Sequence, residues 1–144
     1  MANIRANLVT FAKAQTGLIP LIADRVHFIN RPQDSGNLTS LVVRCIDGKQ
    51  GAVMGADEED GAGDDGTRSR QFEFVVWAAS LEKCWEVGDV LMGLLHGTGG
   101  YACGDMTIGS SWYVREYDGD RLLDGYSDAG MYAITYVFDF LFIG

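Results

Sequence analysis

Residues 71–96 read QFEFVVWAASLEKCWEVGDVLMGLLH, and the change of hydrophobic period within them decides the fold class. Phe72, Phe74 and Val76 alternate with their neighbours, the period-two signature of a strand over 71–79. From residue 81 the period lengthens. Leu81, Cys84/Trp85, Leu91/Met92 and Leu95 recur at steps of three and four, which predicts an amphipathic helix over 81–96. Ser80 is placed to cap that helix, and Glu82 in its first turn complements the dipole. The end of the chain, MYAITYVFDFLFIG, returns to period two from Tyr132 to Phe142. Strands and helices in one short chain predict an α+β fold. Its expected form is a mixed, mostly antiparallel sheet of about five strands with two main helices packed on one face.

Working outward, residues 3–16 read as a helix with Ile4, Leu8, Phe11 and Ala12 on one face and Gly17 as its stop. Leu18 to Ala23 reads as a short second helical turn. A short strand follows at VHFI, then a loop over Arg31 to Asn37, then a strand over 40–46. Asp47-Gly48-Lys49 signals a turn. A polar, Gly-rich stretch runs from 51 to 67, Gly97 to Gly104 reads as a loop, residues 112–117 as a strand, and 131–142 as the last strand. The predicted order is α, β, β, β, α, β, β, with no internal repeat and no interdomain linker.

The length of 144 residues predicts a single domain spanning 1–144, with a flexible acidic Gly-rich loop at 51–67. The net charge of −9 argues against a free-standing nucleic-acid binder, which needs a basic face to displace phosphate counterions. It argues equally against docking on an anionic membrane. No apolar run is long enough to span a bilayer. The N-terminal segment is broken by Arg5 and Lys13 and is no signal peptide, so the expected site of synthesis is the cytosol. Cys45, Cys84 and Cys103 are odd in number and lack CxxC spacing, so they read as free thiols in a reducing compartment.

The candidate chemical motifs fail on spacing. In Asp57-Glu58-Glu59-Asp60-Gly61-Ala62-Gly63-Asp64-Asp65-Gly66 a calcium loop starting at Asp60 would place Ala62 at its third position and Asp65 where Gly is needed. The segment reads as a solvated mobile loop, with weak divalent-cation binding as the alternative. Gly97 to Ala102 spells GxGxxA but follows a helix, whereas the dinucleotide fingerprint follows a strand. Gly104 to Ser110 has phosphate-loop spacing without the Lys. Ser80-Leu81-Glu82-Lys83 matches S-x-x-K without its partner motifs, so Ser80 reads as a cap and Lys83 as surface charge. His27 and His96, the only two histidines, lack metal spacing, and His96 suits a helix C-terminus as a partial positive charge. Trp77, Trp85 and Trp112 read as core or interface anchors. No catalytic residue, cofactor or metal site is expected.

Five places in the sequence carry a resemblance to a known family. They are the N-terminal helix ending near Gly17 with Leu18-Ile19-Pro20-Leu21, and Asp24-Arg25-Val26-His27 leading to Arg31-Pro32-Gln33. The others are Leu41-Val42-Val43-Arg44, the strand Phe72 to Ala78 running into a helix that ends near Leu95, and the Asp-rich turn before the closing strand. Together they resemble the tail-terminator or tail-completion proteins of long-tailed bacteriophages. The acidic stretch 51–67 departs from that pattern. The resemblance implies a structural virion protein at the head–tail junction, assembled in the host cytoplasm. Such a protein caps the tail tube as a ring, typically of six copies, and ends tube polymerisation. Its implied partners are itself, the tail tube protein and a head-completion or neck protein, with DNA passing through unbound and no membrane.

Under that resemblance Asp57, Glu58, Glu59, Asp60, Asp64 and Asp65 are expected to rim the DNA channel and repel phosphate. Arg68, Arg70, Asp118, Asp120, Arg121 and Asp124 are the expected subunit contacts, beside an equal expectation that they only solubilise the surface. Two other functions remain open. One is a neck or head-completion adaptor. The other is a small ligand-binding domain with a pocket between helix 81–96 and the sheet, for which Arg44, Glu73, Arg115 and Asp139 are the polar candidates.

Overall fold

Alternation in the sequence becomes a two-faced sheet in the computed structural model, which describes residues 4–28, 38–47, 67–119 and 131–143. The elements are α1 (Ile4–Lys13), α2 (Ile19–Ile22), β1 (Val26–Phe28), β2 (Ser40–Asp47), β3 (Thr67–Ala78), α3 (Leu81–Leu95), β4 (Tyr101–Cys103), β5 (Met106–Asp118) and β6 (Tyr132–Ile143). The strands form one sheet in the order β1-β2-β3-β6-β5-β4. β1 runs parallel to β2, and every other described pairing is antiparallel. The fold is the expected α+β class.

β3 and β6 form the centre, paired without a break from Thr67↔Ile143 to Ala78↔Tyr132. Paired residues project to the same face, so Phe72, Phe74 and Val76 share a face with Phe138, Tyr136 and Ile134. The rings of this face interlock. Phe74 meets Phe138 edge-on at 5.6 Å, Phe72 meets Phe140 edge-on at 5.8 Å, and Phe140 stacks on Phe142 at 5.4 Å. Each such contact adds about 0.5–1.5 kcal/mol beyond simple burial. Both main helices lie on this face. From α1 it receives Ile4, Leu8, Phe11 and Ala12, and from α3 it receives Cys84, Val87, Leu91 and Leu95.

The helix positions follow from the sheet's curl. α3 lies across the central strands β3, β6 and β5, whereas α1 packs against both β1 and β4, the two ends of the strand order. Against the β4 end, Phe11 meets Tyr101 at 5.8 Å, and Asn7 Nδ2 donates to Asp105 Oδ1 at 2.8 Å. α1 therefore closes the gap that the curling sheet leaves between its end strands.

The sheet has six strands where about five were expected. β4 and the first half of β5 form a hairpin through Gly104-Asp105, where Gly104 has φ +64°. Three residues are too few to show a period, so β4 read as loop. In β5 two bulges, at Gly109 and Val114, shift the register. Each bulge moves the following side chains to the other face, which erases the alternation of MTIGSSWYVREYD. β3 begins earlier than expected. Its polar start, Thr67 to Arg70, lacks a hydrophobic pattern and is paired with Phe140 to Ile143 of β6.

Both ends of α3 are closed by side chains. Ser80 Oγ accepts from the Lys83 N–H at 3.2 Å, the expected cap, and Lys83 pairs with Glu86 at 3.5 Å. At the other end Thr98 Oγ1 donates to Leu94 O at 2.8 Å, and the Ser111 hydroxyl donates to Leu95 O. These bonds satisfy carbonyls that a helix C-terminus leaves without intrahelical partners. His96 stands at the C-cap of α3, and its Nδ1 accepts a hydrogen bond from the Tyr113 N–H at 3.1 Å.

Candidate functional site

The face of the sheet turned away from the helices carries the polar chemistry. Val42 and Arg44 of β2, Glu73, Val75 and Trp77 of β3, and Thr135 and Val137 of β6 are all buried there, although no described helix packs on that side. Arg44 stands opposite Glu73 in the β2–β3 register, with Nη1 3.5 Å from Oε1. Tyr117 of β5 reaches across β6 and donates its hydroxyl to Glu73 Oε2 at 3.0 Å. Burial at 4% and 0% exposure makes this pair costly to break, because removing either partner leaves a charge in a low-dielectric site. The arrangement joins three strands. It presents no nucleophile beside a base, and each charge is consumed by its partner.

The remaining polar candidates do not join that pair. Arg115 is exposed opposite Val137, and Asp139 accepts from Gln71 Nε2 at 2.8 Å. All four lie on the face away from α3, so they do not converge on the space between α3 and the sheet. That space is filled by apolar groups. Cys84 lies buried under the first turn of α3, its Sγ 3.6 Å from Val76 O, and burial pushes its thiol up to about 11. Tyr136, also buried, has its phenol pushed up chiefly by burial and then by nearby acidic groups, Glu116 first. Cys103, buried under α1, is likewise raised to about 11 by burial and by Asp105. All three cysteines are free thiols, Cys45 being half-buried. Among the described residues no group of three or more His, Cys, Asp or Glu lies close enough to hold a metal ion. No described helix is long and apolar enough to cross a membrane.

Most of the expected channel and contact residues fall outside the described residues: Asp57, Glu58, Glu59, Asp60, Asp64, Asp65, Asp120, Arg121 and Asp124. Arg68 belongs to β3 by its backbone, opposite Phe142. Arg70 stands opposite Phe140, and its Nη1 donates to Ser69 O at 2.9 Å. Asp118 is exposed at the end of β5, opposite Ile134. Six residue steps along β6 separate the levels of Arg70 and Asp118, about 20 Å, so the fold does not bring them together within one chain.

Two surface features were not legible in the sequence. The first is a groove of about 410 Å³ between α1 and β1, lined by Arg5, Ala6, Val9, Thr10 and Phe28. The second is a set of exposed aromatics, Trp85 at 49%, Trp112 at 55% and Tyr132 at 48% exposure. The helical period placed Leu81 and Trp85 on the buried stripe, but that stripe runs through Cys84, Val87, Gly88, Leu91 and Leu95. Trp85 and Leu81 sit at its border and project to solvent. Of the three tryptophans only Trp77 is buried. The one sequence signal was Glu82, Glu86 and Asp89 surrounding Trp85 at helical spacing, which marks that side as wet.

The sequence matches no protein-family model, and no curated protein matches it. Its fold, however, is found among solved structures. A chain from the virion of a native gene transfer agent particle superposes with a TM-score of 0.62 at 16% sequence identity, over 98% of this chain and 95% of that one.

Proposed function

We propose that this chain is a structural protein of a phage-like virion, a tail terminator that caps the tail tube as a ring. In that role it ends tube polymerisation and offers its other face to the head-completion proteins. The observation that carries the reading is the shared fold with a virion chain over nearly the full length of both. Among the described residues no polar groups converge beneath α3, which weighs against the small-ligand reading, and no catalytic group is assembled among them. Work is done by surfaces that bind a second copy, the tube and the neck. The net charge of −9 suits a protein past which DNA must slide without sticking. The acids at 57–65 are assigned to that channel within this reading.

The test is deletion of the reading frame from the particle-producing genome, with the lysate imaged by electron microscopy. Full heads beside unattached tails of irregular or excessive length are the expected result. Tails of normal length beside emptied heads would instead assign the chain to the neck. Intact infectious particles would overturn the virion reading and return the small-ligand domain to the front. Replacing Asp57, Glu58, Glu59, Asp60, Asp64 and Asp65 with Ser should slow DNA ejection, and unchanged ejection kinetics would remove the channel assignment.

A further inference from the structure

We infer that copies of this chain join head to tail, the Trp85 knob of one copy seating in the α1–β1 groove of the next. The inference rests on the ring reading above and names the contact that would build the ring.

The knob is built by helix spacing. Glu82, Trp85 and Asp89 fall three and four residues apart, so they form one exposed stripe on α3. The indole is about half exposed, and Leu81 beside it is 38% exposed. Glu86 is paired with Lys83, while no salt bridge to Glu82 or Asp89 forms among the described residues. An exposed Trp ringed by carboxylates has the composition of an interface anchor, apolar at its centre and polar at its rim.

The groove has the opposite character. Val9 and Phe28 give its lining apolar character, Ala6 and Thr10 are its small residues, and exposed Arg5 lines it with no salt bridge among the described residues. Its volume of about 410 Å³ lies in the range that takes a ligand-sized group. Phe28 remains 37% exposed at the end of β1. A cation beside an apolar cleft complements a Trp between two carboxylates, and an Arg at an indole face adds a cation–π contact. A second copy of this chain supplies that surface.

Knob and groove lie on different elements. α3 covers the central strands, and α1 closes the seam at the sheet's ends. Two such patches can pair reciprocally about a two-fold axis or in one direction only, and the ring reading selects the one-directional, heterologous contact. Heterologous contacts build rings when the rotation closes and filaments when it does not. An isologous contact would stop at two copies.

The test uses the full chain in sedimentation velocity over a concentration series, with thermal melts to show that each variant is folded. Trp85→Ala should weaken self-association by roughly 30-fold, the effect of losing an interface anchor. Glu82→Lys/Asp89→Lys and Arg5→Glu/Thr10→Glu should each weaken it, and the chain carrying all four changes should recover part of the loss. Mixing the Trp85→Ala chain with the Arg5→Glu/Thr10→Glu chain should yield dimers and nothing larger, because only one knob and one groove remain intact. A wild-type chain that stays monomeric at every concentration, variants that assemble like the wild type, or larger assemblies from the mixture would each overturn the contact. None of these results bears on the deletion phenotype, so the terminator reading and this contact fail separately.

Discussion

Two glycines of α3 should answer the same substitution with opposite signs. Gly88 and Gly93 both lie within the helix, and neither has the positive φ that would itself demand glycine. Alanine is favoured over glycine inside a helix by about 1 kcal/mol, so propensity alone predicts that both changes stabilise. The surroundings differ. A Cβ at Gly93 meets nothing within 4 Å, whereas a Cβ at Gly88 overlaps the ring and hydroxyl of Tyr136. Tyr136 is held on β6 between Phe74 of β3 and Glu116 of β5 and is 3% exposed, so it cannot swing into solvent. Relief requires α3 to lift from the sheet, and overpacking of that kind costs about 1–3 kcal/mol. Subtracting the propensity gain leaves Gly88→Ala less stable by up to about 2 kcal/mol. Gly93→Ala should gain up to about 1 kcal/mol. Urea melts followed by tryptophan fluorescence and far-UV circular dichroism measure both, and in thermal melts each kcal/mol corresponds to about 3–5 °C in Tm at this size. A cycle with Tyr136→Val isolates the contact, since Gly88→Ala should cost nothing in that background. If Gly88→Ala stabilises as much as Gly93→Ala, the packing of α3 on β6 described above is wrong.

Three further outcomes follow from the same structure. Arg44→Met should cost roughly 3–5 kcal/mol by stranding buried Glu73, and Arg44→Met/Glu73→Gln should recover much of it in a denaturant melt. Gly104→Ala should cost about 1–2 kcal/mol, because the turn needs φ +64° and the added Cβ would press on Asn7 of α1; the same melt reads it. The thiols of Cys84 and Cys103 are held protonated to about 11 in the folded chain, while an unfolded thiol ionises near 8.5. The folded state therefore binds more protons above that pH, so its stability is full below about pH 8.5 and falls as pH rises towards 11. Melting at stepped pH should show that decline, and at pH 8 a thiol reagent should label half-buried Cys45 well before the other two.

Read residue by residue, the sequence determined the local layer of this protein. Phe72, Phe74 and Val76, and the alternation from Tyr132 to Phe142, mark a sheet with one strongly apolar face. Ile4, Leu8, Phe11 and Ala12 mark the first helix, and Ser80 marks where the second begins. These readings hold because period two and period 3.6 are properties of the backbone, visible without knowing any neighbour. Tertiary structure decided what depends on neighbours. The bulges at Gly109 and Val114 re-aim β5, so that Trp112 faces solvent opposite Asp139 while Ser111 turns inward to close α3. The strand at Tyr101–Cys103 exists because β5 is there to pair with it. The meeting of Arg44, Glu73 and Tyr117 needs four strands, β2, β3, β6 and β5, in register. Gly88 is required only because Tyr136 arrives from 48 residues further along the chain, and Trp85 is left outside because Cys84 and Val87 take the buried stripe. A hydrophobic pattern states that a face will be covered, but which side chain covers it is set by close packing between elements distant in the sequence.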